Sequence, residues 1–364
     1  MGDDGATEGH WRRLMAARNG GPGGEEQFIE ALQPGLERAC ALIRKKKARL
    51  IGVQLPDGLR GYFRELAAFI EARAGAASAF LTEPCYGACM AYLPTSLDFV
   101  LHIAHDRILS HQPRIIYIPY CPRLDVKKSV MEALPMLKRP VGVVTTATHA
   151  HQLEEVMGVL RGASLDPLTA RGRRTQRKGV LLGCDLSAAR AIASRVGSFL
   201  FVGSGSFHPV GVELATGKRV VCADPYEGVA RTCEDVRDRI LRIRHAAVEV
   251  ARDAKVFGVF LGLFPGQARR TRALALKRLL EGSGREALIL AAGRFDPESL
   301  SHLGIDAAVS TACPRIAIED SARYPFPVLT PPELEIALGR RKWEDYALDE
   351  TGPADRERSR RGTR

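Results

Sequence analysis

The chain has 364 residues and a mass of 39.7 kDa, with 45% apolar and 26% charged side chains, enough for two or three domains and a large core. That composition excludes fibrous and wholly disordered classes. The longest apolar run, the nine residues Val256–Phe264, falls far short of the ~20 that a membrane helix needs. With 53 basic and 42 acidic side chains, the formal charge is +11 and the pI lies near 9.4, a balance that favours an acidic partner.

Residues 1–24 are rich in glycine and carry Asp3, Asp4 and Glu8 where an export signal would be basic, so they read as a mobile leader on a cytoplasmic protein. A helical pattern begins at Glu25 and runs through Leu32, Leu36 and Leu42. LIGVQL (50–55) is a short apolar strand closed by the turn residues Pro56, Asp57 and Gly58. Strand signals recur at 78–81, 99–104 and 114–119. A second set follows the Pro135 and Pro140 region, with strands expected at 141–146, 179–184, 199–205 and 219–224. A long helix from about Glu227 to Ala254 leads to a third set, with strands at 256–263, 286–293 and 307–313.

Unbroken apolar strands, rather than alternating ones, indicate parallel sheets covered on both faces. The expected division is therefore α/β throughout. It places one domain at 25–138, a second at 139–250 and a third at 251–350, followed by a disordered basic tail at 351–364. The architecture repeats about every hundred residues without a strong residue-level repeat.

Three clusters concentrate the positive charge: Arg44 to Arg49, Arg171 to Lys178, and the five arginines between Arg356 and Arg364. Solvated surface is the plain account of them. None interleaves aromatic residues, so no direct nucleic-acid binding is expected.

Eight cysteines occur without any C-x-x-C pair, which argues against zinc ribbons and thioredoxin-type redox sites. In a reducing compartment they stay free, and most such thiols are small buried hydrophobes. Ligands collect at the C-terminal ends of parallel strands. Cys89 follows the 78–82 strand, Cys184 ends GVLLGC and Cys313 ends AVSTAC. Three converging thiolates are too few for a closed tetrahedral zinc site. They suit a [4Fe-4S] cluster with one iron left open to a substrate.

The local sequences PCYGAC (84–89), LPDGL (55–59), GSGSFHP (203–209), ADPY (223–226), GRFDPE (293–298) and ACPRIAIED (312–320) occur in this order, with Trp343, Tyr346 and Asp349 near the end. Over about residues 27–350 the chain resembles the archaeal diphthamide synthase family. The resemblance implies three similar Rossmann-like domains with parallel sheets around a central iron–sulfur site, in a homodimer. It implies a 2-(3-amino-3-carboxypropyl)histidine synthase, which moves the 3-amino-3-carboxypropyl group of S-adenosylmethionine onto an imidazole carbon of translation elongation factor 2. The family breaks the bond between sulfur and the methionine γ-carbon, leaves methylthioadenosine, and draws its electron from a donor the sequence does not name. The C-x-x-x-C-x-x-C run of other radical enzymes is not met, because position 92 is Tyr92.

Carried onto this sequence, the resemblance makes Cys89, Cys184 and Cys313 the cluster ligands, with Cys85 a spare or alternative to Cys89. Cys40, Cys121, Cys222 and Cys233 are left as structural thiols. Asp57, Gly58 and His208 are candidates to line the S-adenosylmethionine pocket, against the plainer account of turn residues. Arg294 and Arg315 are candidates to pair its carboxylate, against structural salt bridges. His102, His105, His149 and His151 read as surface or satisfied core residues. Two other readings compete: a quinolinate synthase-like cluster enzyme that uses no S-adenosylmethionine, and a non-enzymatic basic scaffold that binds a translation factor.

Overall fold

The computed structural model describes residues 23–33, 35–109 and 112–348, so most of the leader, Asp349 and the arginine tail lie outside the described residues. Three separate sheets carry the fold. The first contains β1 (Leu50–Gln54), β2 (Ala77–Phe80), β3 (Phe99–Ile103) and β4 (Ile115–Ile118), in the order β2-β1-β3-β4. The second contains β5 (Val141–Thr145), β6 (Pro167–Leu168), β7 (Ser198–Val202), β8 (Val220–Asp224) and β9 (Val229–Thr232), in the order β6-β5-β7-β8-β9. The third contains β10 (Val256–Gly262), β11 (Glu286–Ala292), β12 (Ala307–Ser310) and β13 (Val328–Leu329), in the order β11-β10-β12-β13.

The same strand order thus recurs three times, and every pairing is parallel except β8 with β9. In each sheet the first strand lies between the second and third, so the chain reverses direction across the sheet there. That switch point opens a crevice at the strands' C-terminal ends.

Burial on both faces explains the unbroken apolar strands. In β7, Phe199 and Phe201 enter one core while Leu200 and Val202 enter the core on the opposite face. In the third sheet Phe257 and Val259 point one way, and Phe260 and Ala308 the other. The period-two geometry of a strand assigns the faces, and apolar residues occupy both.

The structure departs from the sequence expectation in four places. Residues 179–184 form no regular strand. Thr145 donates to the Gly179 carbonyl and accepts from Leu181, each at 2.8 Å, and the chain then turns back on itself between Leu182 and Asp185. The edge of β5 is shared between two short pieces, β6 at its start and Val180 at its end.

Secondly, the expected helix from Glu227 begins only at Glu234. Gly228, at φ +68°, reverses the chain after Asp224, and β9 pairs antiparallel with β8 before the helix Glu234–Arg252 starts. Thirdly, the helix Val126–Ala133 belongs with the second sheet rather than the first. Val126, Val130 and Ala133 share a core with Val141, Leu200 and Val221, which moves that boundary back from 138. Lastly, the helix Glu234–Arg252 straddles the boundary at 250. Ile240 packs on the second core, and Val248 and Ala251 are buried in the third. Leu348, near the chain's end, returns to the second core.

Candidate metal centre

Each sheet sends one cysteine-bearing connection toward a common point, though not in the way the sequence suggests. Cys89 sits in a short 3-10 turn, Ala88–Met90, within the β2–β3 connection. Cys184 lies in the reversed loop of the β6–β7 connection, not at a strand end. Cys313 follows β12 and caps the short helix Pro314–Ile318.

All three thiols are partly buried, and they sense one another. Burial raises the Cys89 thiol above its usual range, and Cys184 raises it further; the Gln267 hydrogen bond and the charges of Arg174 and Arg269 oppose the rise. Burial also pushes up the Cys313 thiol, with Cys89 and Cys184 adding to the effect and Arg315 opposing it. A metal bound by these sulfurs would displace the thiol protons.

Nitrogen donors hold two of the sulfurs. Gln267 Nε2 donates to Cys89 Sγ at 3.4 Å, and Arg174 Nη1 donates to Cys184 Sγ at 3.3 Å. Gln267 lies in the loop that leaves β10, and the same loop grips the first sheet: Gly266 N donates to the Cys89 carbonyl at 2.9 Å. A Cβ on Gly266 would lie 2.5 Å from the Cys89 Cα, so only glycine permits this approach. Arg269, almost fully buried, donates to the Thr311 and Ala312 carbonyls at 3.1 and 2.7 Å and ties the loop to the end of β12.

The Cys184 loop is braced in a similar way. Asp185 accepts from the Arg174 and Ser187 backbone amides, and Ser187 Oγ accepts from Arg173 N. Gly183 lies directly under the Phe207 ring, where a Cβ would come within 2.2 Å.

The number and softness of the ligands speak to the kind of metal group. Among the described residues, one set of three candidate ligand atoms lies within 4.8 Å of one another, and it is Cys85, His102 and His105. Cys89, Cys184 and Cys313 form a separate group, near enough for their thiols to act on one another. Three soft ligands are too few for a closed tetrahedral zinc site and fit an iron–sulfur group with one iron left open.

Of the other residues singled out by the sequence, Arg315 reaches furthest into the site. Its guanidinium lies 5.9 Å from the Tyr86 ring centre and 5.3 Å from that of Phe207, pairs with Glu319, and faces His105 and His208. His208 stacks on Phe201 at 6.1 Å with its edge to Phe207; burial and Arg315 lower it to about 4. Asp57 is exposed and pairs with Arg60 at 2.9 Å, yet its charge reaches Tyr86 and Cys85. Gly58 faces open space. Arg294 is exposed and acts electrostatically on Tyr86 and Tyr324.

Cys85 is buried, and burial together with Cys89 pushes its thiol up to about 12. Cys40 lies in the first core, and Cys222 and Cys233 are hydrogen-bonded neighbours in the second.

Sequence reasoning missed Gln267, Arg269 and Arg174. The first two follow the C-terminal end of β10, where the strand-end rule directs attention, but no cysteine or glycine motif marks them. Arg174 belongs to the basic cluster expected to be solvated. In the structure that cluster clasps the first unit: Arg177 holds Asp106 with two 2.8 Å bonds and also donates to the Ala147 carbonyl.

The chain is similar to known proteins over most of its length. The family model for diphthamide synthesis proteins matches residues 55–347. The chain is 35% identical over 319 residues to the 2-(3-amino-3-carboxypropyl)histidine synthase of Pyrococcus horikoshii, covering 85% of this chain and 90% of that one. Subunit 1 of the corresponding synthase from Gallus gallus is 25% identical over 333 residues, covering 85% of this chain and 79% of that one. The crystal structure of Dph2 from Pyrococcus horikoshii with a 4Fe-4S cluster superposes with a TM-score of 0.77 at 32% identity, covering 88% of this chain and 94% of that one. Three like-ordered sheets, cysteine-bearing connections meeting at one centre and these similarities together place the chain in the diphthamide synthesis protein family, a family of transferases.

Proposed function

We propose that the chain transfers the 3-amino-3-carboxypropyl group of S-adenosylmethionine to a histidine imidazole carbon of translation elongation factor 2. Cys89, Cys184 and Cys313 hold a [4Fe-4S] cluster for this reaction. The observation that carries the reading is the meeting of three thiols, one from a connection of each sheet, in a chain that resembles Dph2 with a 4Fe-4S cluster. Bound there, the cluster supplies an electron and an open iron for breaking the methionine Cγ–S bond, with methylthioadenosine as the other product.

The chain's own residues position the substrate. The Arg315 fork matches a carboxylate, and its place between Tyr86 and Phe207 restricts the approach. His105 and His208 stay uncharged at neutral pH, so they do not compete with Arg315 for that anion. Asp57, beside the open side of Gly58, offers an acceptor for the substrate's ammonium group, and Arg294 extends the positive rim. Gln267 and Arg174 direct N–H groups at sulfur, a recognised means of tuning cluster potential. The working form is a homodimer in the cytoplasm, fed by a separate electron donor. Among the described residues no helix is long and apolar enough to cross a membrane.

The test is anaerobic. Chain purified without oxygen should carry about four iron and four sulfide, with a visible band that bleaches on dithionite. It should then label elongation factor 2 from carboxyl-labelled S-adenosylmethionine. Alanine at Cys89, Cys184 or Cys313 should abolish labelling and lower bound iron; full labelling by Cys184→Ala would overturn the ligand assignment.

A further inference from the structure

Beside the Cys89 turn, residues of the first sheet form a second constellation that the proposed reaction does not use. Cys85 Sγ and one ring nitrogen from each of His102 and His105 lie within 4.8 Å of one another. His102 is in β3, His105 lies two residues beyond that strand's end, and Cys85 comes from the β2–β3 connection. Cys85 and His102 are fully buried.

A chain of contacts fixes how His102 presents its ring. Gln54 Nε2 donates to the Met90 carbonyl at 3.1 Å, and this orients the amide so that its Oε1 faces His102 Nδ1 at 2.7 Å. An amide oxygen only accepts, so His102 Nδ1 carries the proton and Nε2 keeps its lone pair. That lone pair accepts a hydrogen bond from His105 Nδ1 at 3.1 Å, and a bound metal ion would take the place of the shared proton. An imidazole that donates from one nitrogen to a fixed oxygen and offers the other as a lone pair is oriented as metal-bound histidines are. Zinc–nitrogen bonds of about 2.0–2.1 Å at a tetrahedral angle place two such nitrogens roughly 3.3 Å apart, close to the separation found here.

We propose that Cys85, His102 and His105 bind a zinc ion at a site distinct from the Cys89–Cys184–Cys313 centre, with a fourth position open to water or a small ligand. One sulfur and two imidazole nitrogens are a ligand set that zinc accepts, and three protein ligands are what its open sites carry. Cys85 stands four residues before Cys89 in the same connection. The ion therefore pins the loop that presents Cys89 to the end of β3. Tyr86, between the two cysteines, is held with its ring beside Arg315.

The experiment loads the full-length chain with iron and sulfide anaerobically, equilibrates it with zinc chloride, and removes loosely held metal on a desalting column. Zinc and iron are then counted by mass spectrometry, and the zinc environment is read by X-ray absorption. About one zinc per chain, retained above an unchanged iron content with one sulfur among nitrogen or oxygen neighbours, is the expected result. Cys85→Ser and His105→Gln should each lose that zinc and keep the iron. Iron content and thermal midpoint show that these variants are folded, and His105, only partly buried, serves if Cys85→Ser does not fold.

No retained zinc on the iron-loaded chain would overturn the site. So would zinc that survives both substitutions, or a Cys85→Ser variant that loses iron instead of zinc. A chain that takes up no iron would count against the cluster reading alone. The zinc would then be counted in a variant with alanine at Cys89, Cys184 and Cys313.

Discussion

His208 shows how one residue's surroundings set its chemistry. Stacked on Phe201, met edge-on by Phe207 and facing the Arg315 cation, it is held at about 4, well below an ordinary histidine. His105, partly buried beside the same arginine, is also lowered to about 4. Both are neutral in the folded chain down to about that pH, whereas the unfolded chain protonates them near 6.5. Between these values the unfolded state binds more protons, so stability falls as pH falls and is unaffected above about 7. Each such histidine contributes a slope approaching ~1.4 kcal/mol per pH unit within that window. Urea unfolding of the metal-free chain at steps from pH 7 to pH 4.5 should show the fall, and His208→Gln should remove one histidine's share of it. A variant with the parent's slope would mean that His208 titrates normally in the fold.

At the scale of elements, the loop carrying Arg171 to Lys178 decides how the first two sheets meet. Arg177 makes a bidentate pair with Asp106 just beyond β3, while its neighbour Arg174 donates to Cys184. Charged hydrogen bonds of this kind contribute about 1.5–3 kcal/mol when partly buried. Arg177→Gln should therefore lower the urea-unfolding free energy by about that amount. It should also speed loss of iron from the loaded chain, since the same loop positions Arg174; iron retention equal to the parent's would separate the clasp from the metal centre.

The sequence makes central strands such as β3, β5, β7 and β8 legible because each is a continuous apolar run buried on both faces, whereas the short edge strands β6, β9 and β13 carry no such run. It also marks Cys89 and Cys313 through their motifs. It hides the clasp, since nothing local in Arg177 signals Asp106, 71 residues away. GVLLGC looks like a strand by composition, yet Gly179 at φ +74° and the reversal between Leu182 and Asp185 leave it only one bridge to the sheet. Gln267 is invisible for a related reason: its partner sulfur lies 178 residues earlier, and a lone glutamine after a strand has no pattern.

For the molecule as a whole, the third unit is joined to the second through the helix Glu234–Arg252, whose two ends lie in different cores. Its Arg244 is completely buried. It pairs with both oxygens of Glu333 at 2.7 and 2.8 Å and donates to the Ala317 and Val328 carbonyls at 2.5 and 2.6 Å. Glu333 also accepts from Tyr346 and from the Thr330 backbone amide. Four of the five guanidinium N–H groups and both carboxylate oxygens are thereby used, close to the condition under which a buried ion pair is tolerated. Removing one partner leaves a charge stranded in the interior, at about 3–5 kcal/mol. Arg244→Met should cost that much in urea unfolding, and Arg244→Met/Glu333→Leu should recover part of it, because the stranded carboxylate is gone. Ala317 belongs to the helix that Cys313 caps, so the single variant should also hold iron less firmly while the double variant regains it. An Arg244→Met chain within 1 kcal/mol of the parent would mean that water or a shift of the helix relieves Glu333, and that the third unit keeps its place without this pair.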